Sequence, residues 1–140
     1  MNKTIKKFLI TLVICCFCIS LLASCSGGID TDEAKVLVKD FLAAIATEDY
    51  EKAETLLHPE LDIDLKDSFG KIENAKNIDF QQGVIIERYT GFNYTYYSTS
   101  IGGSSYEMTM QAKVGNTSVE IVVAVIKNDN GYGIYSLTVY

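Results

Sequence analysis

Cysteine and histidine are the side chains that most directly ligate metals, act as nucleophiles or move protons near neutral pH, and this chain has four of the first and one of the second. Cys15, Cys16 and Cys18 fall inside an uncharged apolar stretch, which leaves Cys25 alone beyond it. A solitary cysteine supports neither an internal disulfide nor a Cys-based zinc site. His58, between Leu57 and Pro59 and without a cysteine partner, reads as a helix C-terminal cap. Asp62, Asp64 and Asp67 lack the glycine turn and closing glutamate of a calcium loop, so they read as a solvated loop or the start of a helix. There is no phosphate-cradling glycine loop, nucleophile elbow or metalloprotease helix. No catalytic, cofactor-binding or metal-ligating residue is therefore assigned, and no cofactor is implied.

Cys25 has a different context. Met1–Lys7 is short and basic, Phe8–Leu22 is apolar and uncharged, and Leu22-Ala23-Ser24 ends in small residues. This is the three-part plan of a secretory signal. As a helix its fifteen apolar residues span about 22 Å, short of a hydrocarbon core of ~30 Å, so a permanent transmembrane helix is the weaker reading. Leu22-Ala23-Ser24-Cys25 resembles the bacterial lipobox, whose cysteine receives a diacylglyceryl group before the preceding bond is cut. Cys15, Cys16 and Cys18 follow Ile14, Cys15 and Phe17, so only Cys25 has a small, unbranched approach. The expected division is a signal peptide at 1–24, a lipidated cysteine with a short linker at 25–30, in which Ser26-Gly27-Gly28 is a flexible spacer, and a domain at 31–140. The resemblance implies a bacterial membrane lipoprotein held on the extracytoplasmic face.

Beyond Ser24 there are 116 residues, enough for one domain with its own core. The three lysines of the targeting segment carry its whole charge, so the remainder falls from a net −6 to −9. Such a surface repels nucleic acid and anionic headgroups, which disfavours nucleic-acid binding and leaves membrane attachment to a covalent anchor.

Helices come first. Asp30 with Glu33 starts a helix at about 31–47, whose Ala34, Leu37, Val38, Phe41, Leu42 and Ile45 repeat at the spacing of one face. A second runs from Asp49, buries Tyr50, Ala53, Leu56 and Leu57, and stops near His58 because of Pro59. The short connection makes the pair an antiparallel hairpin. Leu65, Phe69 and Ile72 suggest a third helix ending near Gly70 or shortly after.

From about residue 83 onward β-branched and aromatic residues dominate, which indicates sheet. Gly115-Asn116 as a two-residue loop pairs Val114 with Thr117 and sets Ala112, Met110, Met108 and Tyr106 opposite Val119, Ile121, Val123 and Val125. Glu107, Thr109, Gln111, Lys113, Ser118 and Glu120 fall on the other, polar face. A three-residue loop with Gly131 left-handed pairs Asn128 with Tyr132, Val125 with Tyr135, Val123 with Leu137 and Ile121 with Val139. In that register Val122, Ala124, Ile126, Ile134 and Tyr140 form an outward apolar area for which the candidate covers are a sheet-to-sheet homodimer, an envelope protein partner, or the chain's own 76–90 segment. Ile101-Gly102-Gly103-Ser104-Ser105 reads as a flexible connection.

The helical wording Phe41-Leu42-Ala43-Ala44-Ile45, then Asp49-Tyr50-Glu51-Lys52-Ala53-Glu54-Thr55-Leu56-Leu57, and the closing Asn130-Gly131-Tyr132-Gly133-Ile134 resemble the nuclear transport factor 2-like superfamily over about 31–140. The absence of any Trp is a departure, Tyr132 standing where members often carry one. The resemblance implies an α+β fold, a helical hairpin packed on a strongly bent antiparallel sheet shaped like a cone, often with a pocket at its open end. Such folds host binding modules as well as isomerases and dehydratases. The strand register turns Glu107 and Glu120 outward and leaves Tyr106 and Tyr135 as the hydrogen-bonding groups of the inner face, with Tyr94 and Tyr96 alternating on an aromatic strand beside Phe92, Tyr89 and Tyr97. These four tyrosines, Tyr94, Tyr96, Tyr106 and Tyr135, are the candidate ligand-facing residues. The balance leans away from catalysis and toward a membrane-anchored binding or accessory module of unknown ligand. The alternative is a small pocket enzyme of isomerase or dehydratase type, with acids from Asp62, Asp79 or Glu87.

Overall fold

The computed structural model describes residues 27–140, so the targeting segment and Cys25 lie outside the described residues. Helix α1 spans Thr31–Ala46, α2 Tyr50–Glu54 and α3 Leu65–Lys76, followed by a 3-10 turn at Phe80–Gln82. Four strands follow, β1 at Val84–Ser98, β2 at Gly103–Val114, β3 at Thr117–Asn128 and β4 at Gly131–Val139, in one antiparallel sheet of order β1-β2-β3-β4. The molecule is α+β, with its helices packed on a four-stranded sheet. No helix among the described residues is long and apolar enough to cross a membrane.

Each helix starts on an aspartate that accepts from the backbone of its first turn: Asp30 from Asp32 and Glu33, Asp49 from Lys52, and Asp64 from Asp67. The face expected of α1 is the one that buries, through Ala34, Val38, Phe41, Leu42 and Ile45. Phe41, Phe69 and Phe80 form a chain of ring contacts, at 5.9 and 5.1 Å between centroids, that ties α1 to α3 and the 3-10 turn. The second helix is shorter than expected, its last residues unwinding so that Leu57 pairs with Ile134 as a parallel bridge. Ile134 donates to the Leu56 carbonyl at 3.0 Å and its carbonyl accepts from His58 at 2.8 Å. Gly133 permits this approach: a Cβ there would lie 2.5 Å from the His58 nitrogen. The third helix runs through Gly70 to a left-handed cap at Asn77, a residue that takes that conformation readily.

The β2–β3 register matches expectation at every pair from Val114–Thr117 to Tyr106–Val125. The Gly103-Ser104-Ser105 segment, expected to be a flexible connection, is the first part of β2, and Gly103 and Ser104 are buried.

The β3–β4 hairpin corrects the expected register over one stretch. Ile121 pairs with Val139 and Val123 with Leu137 as expected, but Val125 pairs with Ile134 and Asn128 with Gly131. The loop has two residues, because the Asn128 side-chain oxygen accepts from the backbones of Asn130 and Gly131 and closes it early. The extra residue appears instead as a bulge at Tyr135. Ile134 is therefore 1% exposed and in the core, and Ile126 is buried too, so the outward apolar area expected from Val122, Ala124, Ile126, Ile134 and Tyr140 loses two of its members.

Candidate functional site

The site is set by three irregularities in β1. This strand has fifteen residues against twelve in β2, and the surplus is taken up between Ile86 and Arg88, between Tyr89 and Gly91, and between Thr95 and Ser98. Side chains alternate along a regular strand, so each extra residue reverses which face its successors occupy. The first two put Tyr89 opposite Met110, Phe92 opposite Met108 and Tyr94 opposite Tyr106, all on the face that meets the helices. Without the second, Phe92 and Tyr94 would point away from Tyr89.

The result is a continuous aromatic tier. Tyr89 and Phe92 stack at 5.4 Å between centroids, Phe92 and Tyr106 lie 5.8 Å apart within 3° of parallel, and Tyr94 tilts against Tyr106 at 6.0 Å. The Lys35 ammonium of α1 stands 5.4 Å over the Phe92 ring, inside cation–π range. The same ammonium is hydrogen-bonded to Asp32 at 3.2 Å, and that bond holds its pKa above the ordinary lysine value, so it serves as a fixed cation and not as a base. Tyr106 is buried and Tyr89 partly buried, and desolvation pushes both phenol pKa values up, with Lys35 opposing. Phe92 by contrast is 53% exposed and Tyr94 40%, so the tier is open at its centre and at Tyr94 and buried at Tyr106.

The four candidate tyrosines separate. Tyr94 and Tyr106 meet in the tier. Tyr96, inside the third irregularity, is largely exposed beside the first described residues. Tyr135 lies two strands from Tyr106, on the bulge of β4, with its ring edge-on to His58 at 5.9 Å. It lines a small apolar cleft of about 80 Å³ with Leu57, Leu61, Ile63 and Leu65.

His58 is fully buried and does not cap a helix. Its Nδ1 accepts from the Glu60 backbone at 3.2 Å, which places the ring proton on Nε2, and Nε2 donates to the Asn128 oxygen at 3.0 Å. The Asn128 amide donates in turn to Glu60 and to the Ile101 carbonyl, and the Asn130 amide donates to Glu60. These bonds hold the Glu60 carboxyl below its usual range, the one from Asn128 contributing most. Nothing in the sequence pairs residues 58–60 with 128–130, because the link depends on the two-residue loop and on the parallel bridge at Leu57.

The acids considered for proton transfer are all solvent-exposed. Asp79 caps the 3-10 turn through the Gln81 backbone, and Glu87 pairs with Lys113 at 2.9 Å on the outer face. Buried polar side chains among the described residues are His58 and Ser104, and no metal-ligating cluster occurs among them. The residues that sequence alone did not single out are Lys35, Glu60 and Asn128. Comparison with protein-family models, curated proteins and solved structures finds no match.

Proposed function

We propose that this protein is a bacterial lipoprotein, anchored through Cys25 on the extracytoplasmic face of a membrane, whose domain is a non-catalytic binding or accessory module. The observation that carries the binding role is the half-open aromatic tier. Flat apolar rings, backed by a rigid core and rimmed by one fixed cation, give stacking area at little entropic cost, while the carboxylates considered for catalysis point into solvent. The anchor is supported by the three-part leader and by the Leu22-Ala23-Ser24-Cys25 sequence. A nuclear transport factor 2-like cone is the finer fold reading, supported by the helix-then-meander order and by bulges, which bend strands.

Phe92→Ala removes the exposed centre of the tier and leaves the anchor untouched. The lipidated variant should lose the envelope components that the parent captures from its own membranes, while remaining folded and in the membrane fraction. Capture of an identical set by parent and variant would rule out the tier as the binding face.

A further inference from the structure

The first described residues are fastened to the end of the sheet. The Gly27 carbonyl accepts from Ser104 at 2.8 Å, the Gly28 carbonyl accepts from the Lys127 ammonium at 3.2 Å, and the Ile29 backbone donates to the Tyr94 hydroxyl at 3.0 Å. The Ile29 side chain is part of the core. Gly27-Gly28, expected to be a flexible spacer, is bonded into the fold on strands β1, β2 and β3.

That fastening fixes a distance. Two residues of extended chain reach at most about 7 Å, so the Cys25 and Gly27 α-carbons can be no further apart. A diacylglyceryl group on Cys25 would lie at the depth of the neighbouring lipid glycerols, and the polar layer above that depth is only about 5–7 Å thick on each side. Gly27 is then held at or just above headgroup level, and so is whatever surrounds it. It borders a concave surface of about 420 Å³ with Tyr96, Tyr97, Gly102, Lys127 and Asp129. Tyr96 and Tyr97 are 68% and 63% exposed, two large amphipathic rings at the end of the sheet where the chain meets its tether.

We propose that this end of the sheet seats on the phospholipid headgroup layer, with Tyr96 and Tyr97 entering the interface as tyrosines of an aromatic belt do. The seating rests on the Cys25 anchor proposed above. It makes the domain stand on the membrane through its strand ends, with at most two residues between the lipidated cysteine and the fold, and sets Tyr140, opposite Glu120, about 25–30 Å away along the sheet.

The sequence has no Trp, so a single introduced indole reports without background. The full lipidated chain carrying Tyr96→Trp, and separately Tyr97→Trp and Tyr140→Trp, is reconstituted in phosphatidylethanolamine–phosphatidylglycerol vesicles that contain a headgroup spin-labelled lipid. Emission from the Tyr96→Trp and Tyr97→Trp proteins should fall about twofold and shift to the blue, while that from Tyr140→Trp, which is outside the belt, should not change. Intact mass of each sample reports the lipid separately. A lipidated protein whose Tyr96→Trp and Tyr97→Trp indoles are quenched no more than the Tyr140→Trp indole overturns the seating and leaves the anchor standing. A Cys25 without lipid removes the anchor and the seating together.

Discussion

Phe92 and Met108 face each other across β1 and β2, yet they sit in opposite environments, since Phe92 is half-open and Met108 is fully buried. Truncating a buried methionine costs about 2–5 kcal/mol, through lost transfer energy and the cavity left behind. Truncating an exposed ring loses only its stacking, about 0.5–1.5 kcal/mol. Met108→Ala should therefore lower the urea midpoint strongly and Phe92→Ala slightly, and similar losses would mean that Phe92 is core and not binding surface. At this scale the sequence was a good guide wherever a residue's role depends on its neighbours in the chain. Asp30 is readable as a cap because a cap is made within three residues. His58 is not, because its partner Asn128 lies seventy positions away and the carboxylate that completes the network bonds to that same amide.

Among the elements, β3 was the most legible and β1 the least. The Gly115-Asn116 turn and the alternation of apolar and polar residues leave one register for β3 against β2. In β1 three extra residues each reverse the face of their successors, and nothing local marks where a strand will bulge. The aromatic composition of the tier could be read, but its inclusion of Tyr89 could not. The β3–β4 hairpin shows the same limit on a smaller scale, since one surplus residue could be placed in the loop or in the strand. Its placement at Tyr135 has a measurable consequence. Ile134→Lys would bury an unpaired charge beside Leu57 and should unfold the domain, an effect of several kcal/mol. Val122→Lys, on the outer face, should leave the far-ultraviolet circular dichroism and the thermal midpoint nearly unchanged. A folded Ile134→Lys protein would contradict the bulge and restore the three-residue loop.

Taken whole, the domain is closed by polar ties at the end of the sheet that holds Gly27 and Gly28, and two of its carboxylates give that end and α1 a pH dependence. Glu60 is held low by Asn128 and Asn130, and Asp30 by the backbones of Glu33 and Asp32. A carboxyl whose folded pKa is depressed adds stability that is fully present above its unfolded value, about 4.3 for Glu, and is lost as pH falls through the folded one. Glu60→Gln should thus be less stable than the parent at neutral pH, with the gap narrowing below about pH 4 as the parent's own carboxyl protonates. A gap that stays constant with pH, followed by urea titration, would show that the Asn128 and Asn130 bonds do not depend on charge. The outer face carries Val122 and Ala124, half-buried, and the exposed Tyr140, a smaller apolar area than the expected register offers.

Both the proposed location and the seating on the membrane depend on the Cys25 anchor, and the mass of the mature N-terminus tests it most directly. Protein recovered from membranes of its native host, digested and examined by mass spectrometry, should yield an N-terminal peptide that begins at Cys25 and carries a diacylglyceryl mass. A Cys25→Ser chain should lack that mass and leave the membrane fraction. A parent peptide that begins at Cys25 or elsewhere without lipid, together with equal membrane retention of the Cys25→Ser chain, would contradict the anchor.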